Sequence, residues 1–140
     1  MGLGITYTSS LKGITPTKLR GFFEGWPNTP SPRRHLSLLK NSDHIVLAVD
    51  PQTCNVIGFI TAISDGVLSA YIPLLEVLPE YRNHGIGREL VKRMLEKLKG
   101  FYMIDLLCDQ RVQPFYQRLG MAKATGMMIR NYAAQSGKKR

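Results

Sequence analysis

Residues 70–90 read Ala-Tyr-Ile-Pro-Leu-Leu-Glu-Val-Leu-Pro-Glu-Tyr-Arg-Asn-His-Gly-Ile-Gly-Arg-Glu-Leu, and this stretch decides the fold. An apolar strand runs to Val77, a turn carries two glycines, and a helix begins. The helix follows from the spacing of Ile86, Leu90, Val91, Met94, Leu95 and Leu98 on one face, with Arg88, Glu89, Lys92, Arg93, Glu96 and Lys97 on the other. Gly100 terminates it. At its start, Gly85 and Gly87 lack the Cβ that would hold a ligand off the backbone, and the first-turn N–H groups have no acceptor within the helix. A phosphate satisfies such groups. The helix end contributes about 0.3 to 1 kcal/mol, whereas micromolar binding needs about 8 kcal/mol. The strand must therefore supply further contacts.

Two blocks carry a family resemblance. The first is Arg82-Asn83-His84-Gly85-Ile86-Gly87, preceded by Val77-Leu78-Pro79-Glu80-Tyr81; the second is Phe115-Tyr116-Gln117-Arg118-Leu119-Gly120-Met121. In that order they resemble the pyrophosphate-binding signature and the Phe-Tyr helix of the GNAT superfamily of acyl-CoA-dependent N-acyltransferases. The resemblance covers residues 56–130. It implies acetyl-CoA as co-substrate, with no metal, and direct acetyl transfer to a primary amine of a small molecule or peptide. It also implies that backbone groups of Leu75 and Val77 bond the pantetheine arm and polarise the thioester carbonyl. Asn83, His84, Gly85, Ile86, Gly87 and Arg88 would present amides to the pyrophosphate, with Arg82 adding charge. Asp109 stands where many members have Asn, so it either bonds the pantetheine or caps the following helix. Phe115 would pack beside the cofactor, and Tyr116 is the candidate general acid for the departing thiolate. The family's glutamate base does not carry over, because Tyr71 occupies that position, and strand alternation turns Glu76 away from Leu75 and Val77 unless a bulge intervenes.

Outward from this centre, Ile5 to Thr8 is a strand, and Thr15-Pro16 signals a helix running through Leu19, Phe22 and Phe23 to Gly25. Ser31-Pro32 repeats the cap-plus-proline signal for a second, short helix. His44 to Val49 and Val56 to Ile63 are strands of a hairpin joined by Asp50-Pro51-Gln52-Thr53. Asp65-Gly66 marks the next turn. Pro73 cannot donate to a ladder, which predicts an edge, a bulge or a strand beginning only at Leu74. Met103 to Cys108 reads as a strand, Pro114 to Leu119 as a helix stopped at Gly120, and Met127 to Arg130 as a last strand. The order β-α-α-β-β-β-α-β-α-β predicts an α/β (α+β) fold: a mixed, mostly antiparallel twisted sheet with helices on both faces, as in GNAT proteins.

The 140 residues suit one domain, expected over 1–132, followed by a basic, disordered tail at 133–140. The formal charge of +9 invites a nucleic-acid partner. Yet the charge is scattered or terminal, without an aromatic-interleaved basic stripe, so nucleic acid is not expected. A polyanionic cofactor draws on the same field. No apolar run approaches the roughly 20 residues that span a bilayer, and the start lacks a basic, then apolar, leader. The expectation is a cytoplasmic protein with no membrane partner, and a homodimer stays open. Cys54 and Cys108 share no metal-ligand spacing and are expected as free thiols. Acyl-CoA binding without catalysis, or a basic nucleic-acid-associated protein, is the alternative function. His35, His44 and His84 carry no partner signal, and the amine acceptor is unreadable, although Phe22, Phe23, Trp26, Arg33 and Arg34 are candidates to line its site.

Overall fold

The computed structural model describes residues 4–138. Five strands lie side by side in chain order: β1 (Thr6–Thr8), β2 (His44–Val49), β3 (Val56–Ser64), β4 (Ser69–Val77) and β5 (Met103–Asp105). The first four are antiparallel, and β5 runs parallel to β4. A parallel step needs a crossover, supplied here by helix α2 (Ile86–Leu98). Helix α1 (Pro32–Asn41) precedes β2, and the short α3 (Gln113–Gln117) follows β5. The expected mixed, mostly antiparallel sheet with helices on both faces is the observed architecture.

Strand alternation divides the core in two. Val46 and Ala48 of β2 pack with Ile86, Leu90, Val91, Met94 and Leu98 of α2. Ile45 and Leu47 face the other way, against Leu39 of α1 and the loop residues Leu19, Phe22 and Phe23. Leu90, Val91, Met94 and Leu98 are fully buried, and each such side chain contributes about 1.5 to 3 kcal/mol. Helix α2 is thereby fixed against the sheet with its first turn at the C-terminal end of β4. Helix α1 starts as its sequence predicts: the Ser31 hydroxyl accepts from the Arg34 N–H at 3.1 Å, and Pro32 occupies the first turn.

Five expectations differ. The first helix reduces to a single 3-10 turn, Pro16–Lys18, because Gly21, Phe23 and Gly25 adopt left-handed φ values of 90°, 65° and 83°. The β5 strand ends at Asp105, well short of Cys108, and the helix expected from Pro114 is the five-residue α3. No strand forms at Met127 to Arg130, where Met127 and Ile129 are 95% and 94% exposed. An apolar run is no strand without an edge to pair with. Finally, the expected disordered tail is held as far as Gly137: Tyr132–Ala134 forms a 3-10 turn, the Asn28 side chain donates to the Tyr132 carbonyl at 3.0 Å, and Arg34 donates to the Gly137 carbonyl. Lys139 and Arg140 lie outside the described residues.

Candidate active site

The site begins at a fault in the sheet. Ile63 pairs with Tyr71 but Thr61 pairs with Leu74, so Ile72 and Pro73 together oppose the single residue Ala62. This is a bulge at the proline, as its missing N–H demands. Strand β5 follows β4 only from Ser69 to Tyr71. Beyond the bulge the β5 side of β4 is unpaired. The Leu78 N–H donates to the Ile57 carbonyl at 2.9 Å, toward β3. By alternation, the N–H and C=O groups of Val77 and Leu75 face the opposite, open side. Leu75 and the Val77 N–H thus face a gap, while the Val77 carbonyl is taken by Arg82 Nε at 3.0 Å.

The gap leads to the start of α2. Asn83 and Gly85 take left-handed φ values of 65° and 79°, and Gly85 is the N-cap with no side-chain capping bond. The Glu89 N–H is the first to find an intrahelical acceptor, the Gly85 carbonyl at 3.1 Å. The N–H groups of Ile86, Gly87 and Arg88 therefore point out of the helix end. A Cβ on Gly87 would lie 3.8 Å from Val77 Cγ2 and 3.9 Å from Phe115 Cζ, so the strand end, the glycine turn and α3 converge there. His84 and Arg88 are exposed. Arg82, expected as a charge for the pyrophosphate, turns to the protein: Nε donates to the Val77 carbonyl at 3.0 Å, and Nη2 pairs with Glu24 at 3.1 Å.

On α3, Phe115 and Tyr116 stack edge to face with centroids 4.9 Å apart, and both pack against the α2 core. Burial pushes the Tyr116 hydroxyl up to about 12, and the nearby Cys108 thiol adds to the rise. The phenol therefore stays protonated, and a donor, across the physiological range. Asp109 is exposed and faces Arg111 at 4.0 Å. It does not cap the Pro114 helix, because its side chain makes no capping bond and a 3-10 turn, Gln110–Val112, intervenes. Cys54 and Cys108 are free and exposed.

Two features on the α1 face had no sequence signal. The Glu76 carboxylate accepts from the Phe23 N–H at 2.8 and 2.9 Å and from the Glu24 N–H at 3.5 Å. Burial raises its pKa, and those amides and Arg82 pull the other way. The alternation that turned Glu76 from the gap gives it this role: it holds the left-handed Phe23 and with it the loop. His35 is buried among Phe22, Phe23 and Phe59 at centroid distances of 5.2, 4.9 and 4.4 Å. Neither ring nitrogen has a partner among the described residues, and burial lowers its pKa to about 4.

A bulged strand parting from a parallel neighbour, above an uncapped helix start, places free backbone groups where an anion can be bound. Residues 11–121 match the acetyltransferase (GNAT) family. A protein of Deinococcus radiodurans R1, assigned as an acetyltransferase, superposes with a TM-score of 0.95 at 46% identity, over 100% of this chain and 98% of that one. The GNAT family acetyltransferase SP0256 of Streptococcus pneumoniae TIGR4 gives 0.72 at 28% identity, over 91% of this chain and 98% of that one. Among curated relatives, the uncharacterized N-acetyltransferase ycf52 of Pyropia yezoensis is 28% identical over 84% of this chain and 70% of its own length. GCN5-related N-acetyltransferase 1, chloroplastic, of Arabidopsis thaliana is 27% identical over 84% of this chain and 61% of its own. The chain belongs to the GNAT acetyltransferase family. Among the described residues, no helix is long and apolar enough to cross a membrane.

Proposed function

We propose that the protein moves the acetyl group of acetyl-CoA directly to a primary amine. The observation that carries this reading is the β4 edge at Leu75 and Val77, left without a neighbouring strand, which runs into the uncapped first turn of α2. A diphosphate fits that turn: its amides lack protein partners, and Gly87 leaves the approach clear past Val77 and Phe115. Leu75 and Val77 would hold the pantetheine amides, and Asn83 to Arg88 the pyrophosphate. The bound thioester supplies an activated acyl carbon.

In that arrangement the amine nitrogen bonds to the acyl carbon, the carbon–sulfur bond breaks, the nitrogen sheds a proton and the sulfur gains one. Tyr116 is the proposed donor to the sulfur. Full transfer from a hydroxyl near 12 to a thiolate whose acid lies near 8.5 is uphill by roughly 5 kcal/mol. The hydroxyl therefore hydrogen-bonds the developing charge, and its proton moves only as the nitrogen releases its own. Acetyl-CoA at about 100 times its Kd should stabilise the fold by about 2.7 kcal/mol, and free thiol should appear on adding an acceptor amine. Neither thermal shift nor calorimetric heat at millimolar acetyl-CoA would remove the cofactor from this reading; binding without thiol release for any amine would leave a non-catalytic acyl-CoA binder.

A further inference from the structure

A cavity of about 230 Å³ lies on the α1 face, lined by Phe23, Trp26, Leu38 and Leu74, by Arg34 and Asn41 on α1, and by Ala134, Gln135 and Gly137 of the C-terminal segment. Leu74 follows the Pro73 bulge directly, so the cavity ends one residue from Leu75 and the open edge of β4. The loop wall is fixed by the Glu76 carboxylate on the Phe23 N–H. The other wall is the segment the sequence marks as a tail. It is held where the Asn28 N–H donates to Gln135 Oε1 at 2.9 Å, the Asn28 side chain donates to the Tyr132 carbonyl, and Arg34 donates to the Gly137 carbonyl.

We propose that the C-terminal segment completes the acceptor pocket, and that the acceptor is a monoamine with an apolar, ring-sized body and a carboxylate at the end remote from the amine. The inference deepens the acetyl-transfer reading and rests on it. Size follows from the volume: an apolar cavity of about 150 Å³ admits benzene, so this one holds a ring and a short arm. Charge follows from the lining, which has no Asp or Glu and one guanidinium, in a chain of net charge +9. A polyamine would set a second ammonium beside Arg34 with no carboxylate to offset it. Arg34 has five N–H donors, one of them engaged by Gly137, and a carboxylate is the strongest partner for the rest.

Trp26 is the only tryptophan in the chain, so its emission reads occupancy of the pocket without turnover. Titration with para-aminoethylbenzoate should change the emission and saturate, with phenethylamine binding about tenfold or more weaker and spermidine weaker still. Arg34→Gln should erase the advantage of the carboxylate while phenethylamine keeps most of its affinity. Removal of residues 131–140, or Asn28→Ala in the full chain, should weaken both ring ligands and leave the thermal shift with acetyl-CoA unchanged. The proposal is overturned if spermidine binds as tightly as the benzoate, if Arg34→Gln weakens the two ring ligands equally, or if the folded truncated chain binds them as the full chain does. Acetyl-CoA binding is measured apart from these titrations. Its failure would remove the transfer reading, whereas normal thiol release with no Trp26 response would remove this pocket alone.

Discussion

The two faces of the sheet are organised on different principles. On the α2 face, a strand end, a glycine turn and a regular helix follow one another within thirty residues, and each element is fixed by local spacing and backbone freedom. On the α1 face, the pocket is assembled from an irregular loop near Phe23, helix α1, β4 and a segment more than a hundred residues away in sequence. The comparison teaches that the proposed cofactor side is a local motif, whereas the proposed acceptor side is a product of tertiary contacts.

The largest expected effect is at Tyr116, which packs on the α2 side beside Phe115. Tyr116→Phe keeps the ring and removes the donor. General acid assistance contributes about 10² to 10⁴-fold, and kcat should fall by that order with acetyl-CoA affinity intact; full kcat in a single-turnover assay would exclude the hydroxyl. Next in size, Gly85→Val and Gly87→Val should weaken acetyl-CoA by about 10²-fold or more, since a branched side chain blocks amides that each contribute roughly 1.5 to 3 kcal/mol to a charged partner. Position 85 adds strain at φ 79°, whereas a Cβ at 87 meets the protein only at ordinary contact distance. Calorimetry on the folded variants decides it, and unchanged affinity at 87 would put the pyrophosphate elsewhere.

The α1 face has its own signature in pH. His35 holds its proton only below about 4 in the folded chain, against about 6.5 unfolded. Its contribution to stability is therefore complete above 6.5 and is lost as pH falls toward 4, by about 3 kcal/mol. Denaturant unfolding of wild type and His35→Leu across that window should show the slope only in wild type. Glu76→Ala should leave the Phe23 and Glu24 N–H groups unpaired and cost about 1 to 3 kcal/mol, with KM for the acceptor raised and kcat little changed. A lowered kcat with unchanged KM would instead make Glu76 part of the chemistry. The smallest effect belongs to Arg82→Ala. Its ion pair with Glu24 is exposed, and such pairs contribute about 0.2 to 1 kcal/mol, so acetyl-CoA affinity should drop far less than in the valine variants.

The sequence by itself determined the strand that ends at Val77, the glycine turn, the span of α2, the hairpin of β2 and β3 and the capped start of α1. In each, a periodicity or a residue with restricted backbone freedom acts over neighbours. Pro73 narrowed the choice to an edge, a bulge or a later strand start, because a missing donor has only a few tolerated places in a sheet, and the strand register selected the bulge. Only the tertiary structure decided the rest. Phe23 is held left-handed with its N–H on Glu76, fifty-three residues on; Met127 to Arg130 pairs with no strand and stays exposed; and residues 132–137 are docked because Asn28 and Arg34 offer donors to their oxygens. Arg82 likewise faces Glu24 through a contact that no local spacing specifies. Hydrogen bonds between distant segments leave no period in the chain, and so the acceptor pocket was legible only once the fold had brought its walls together.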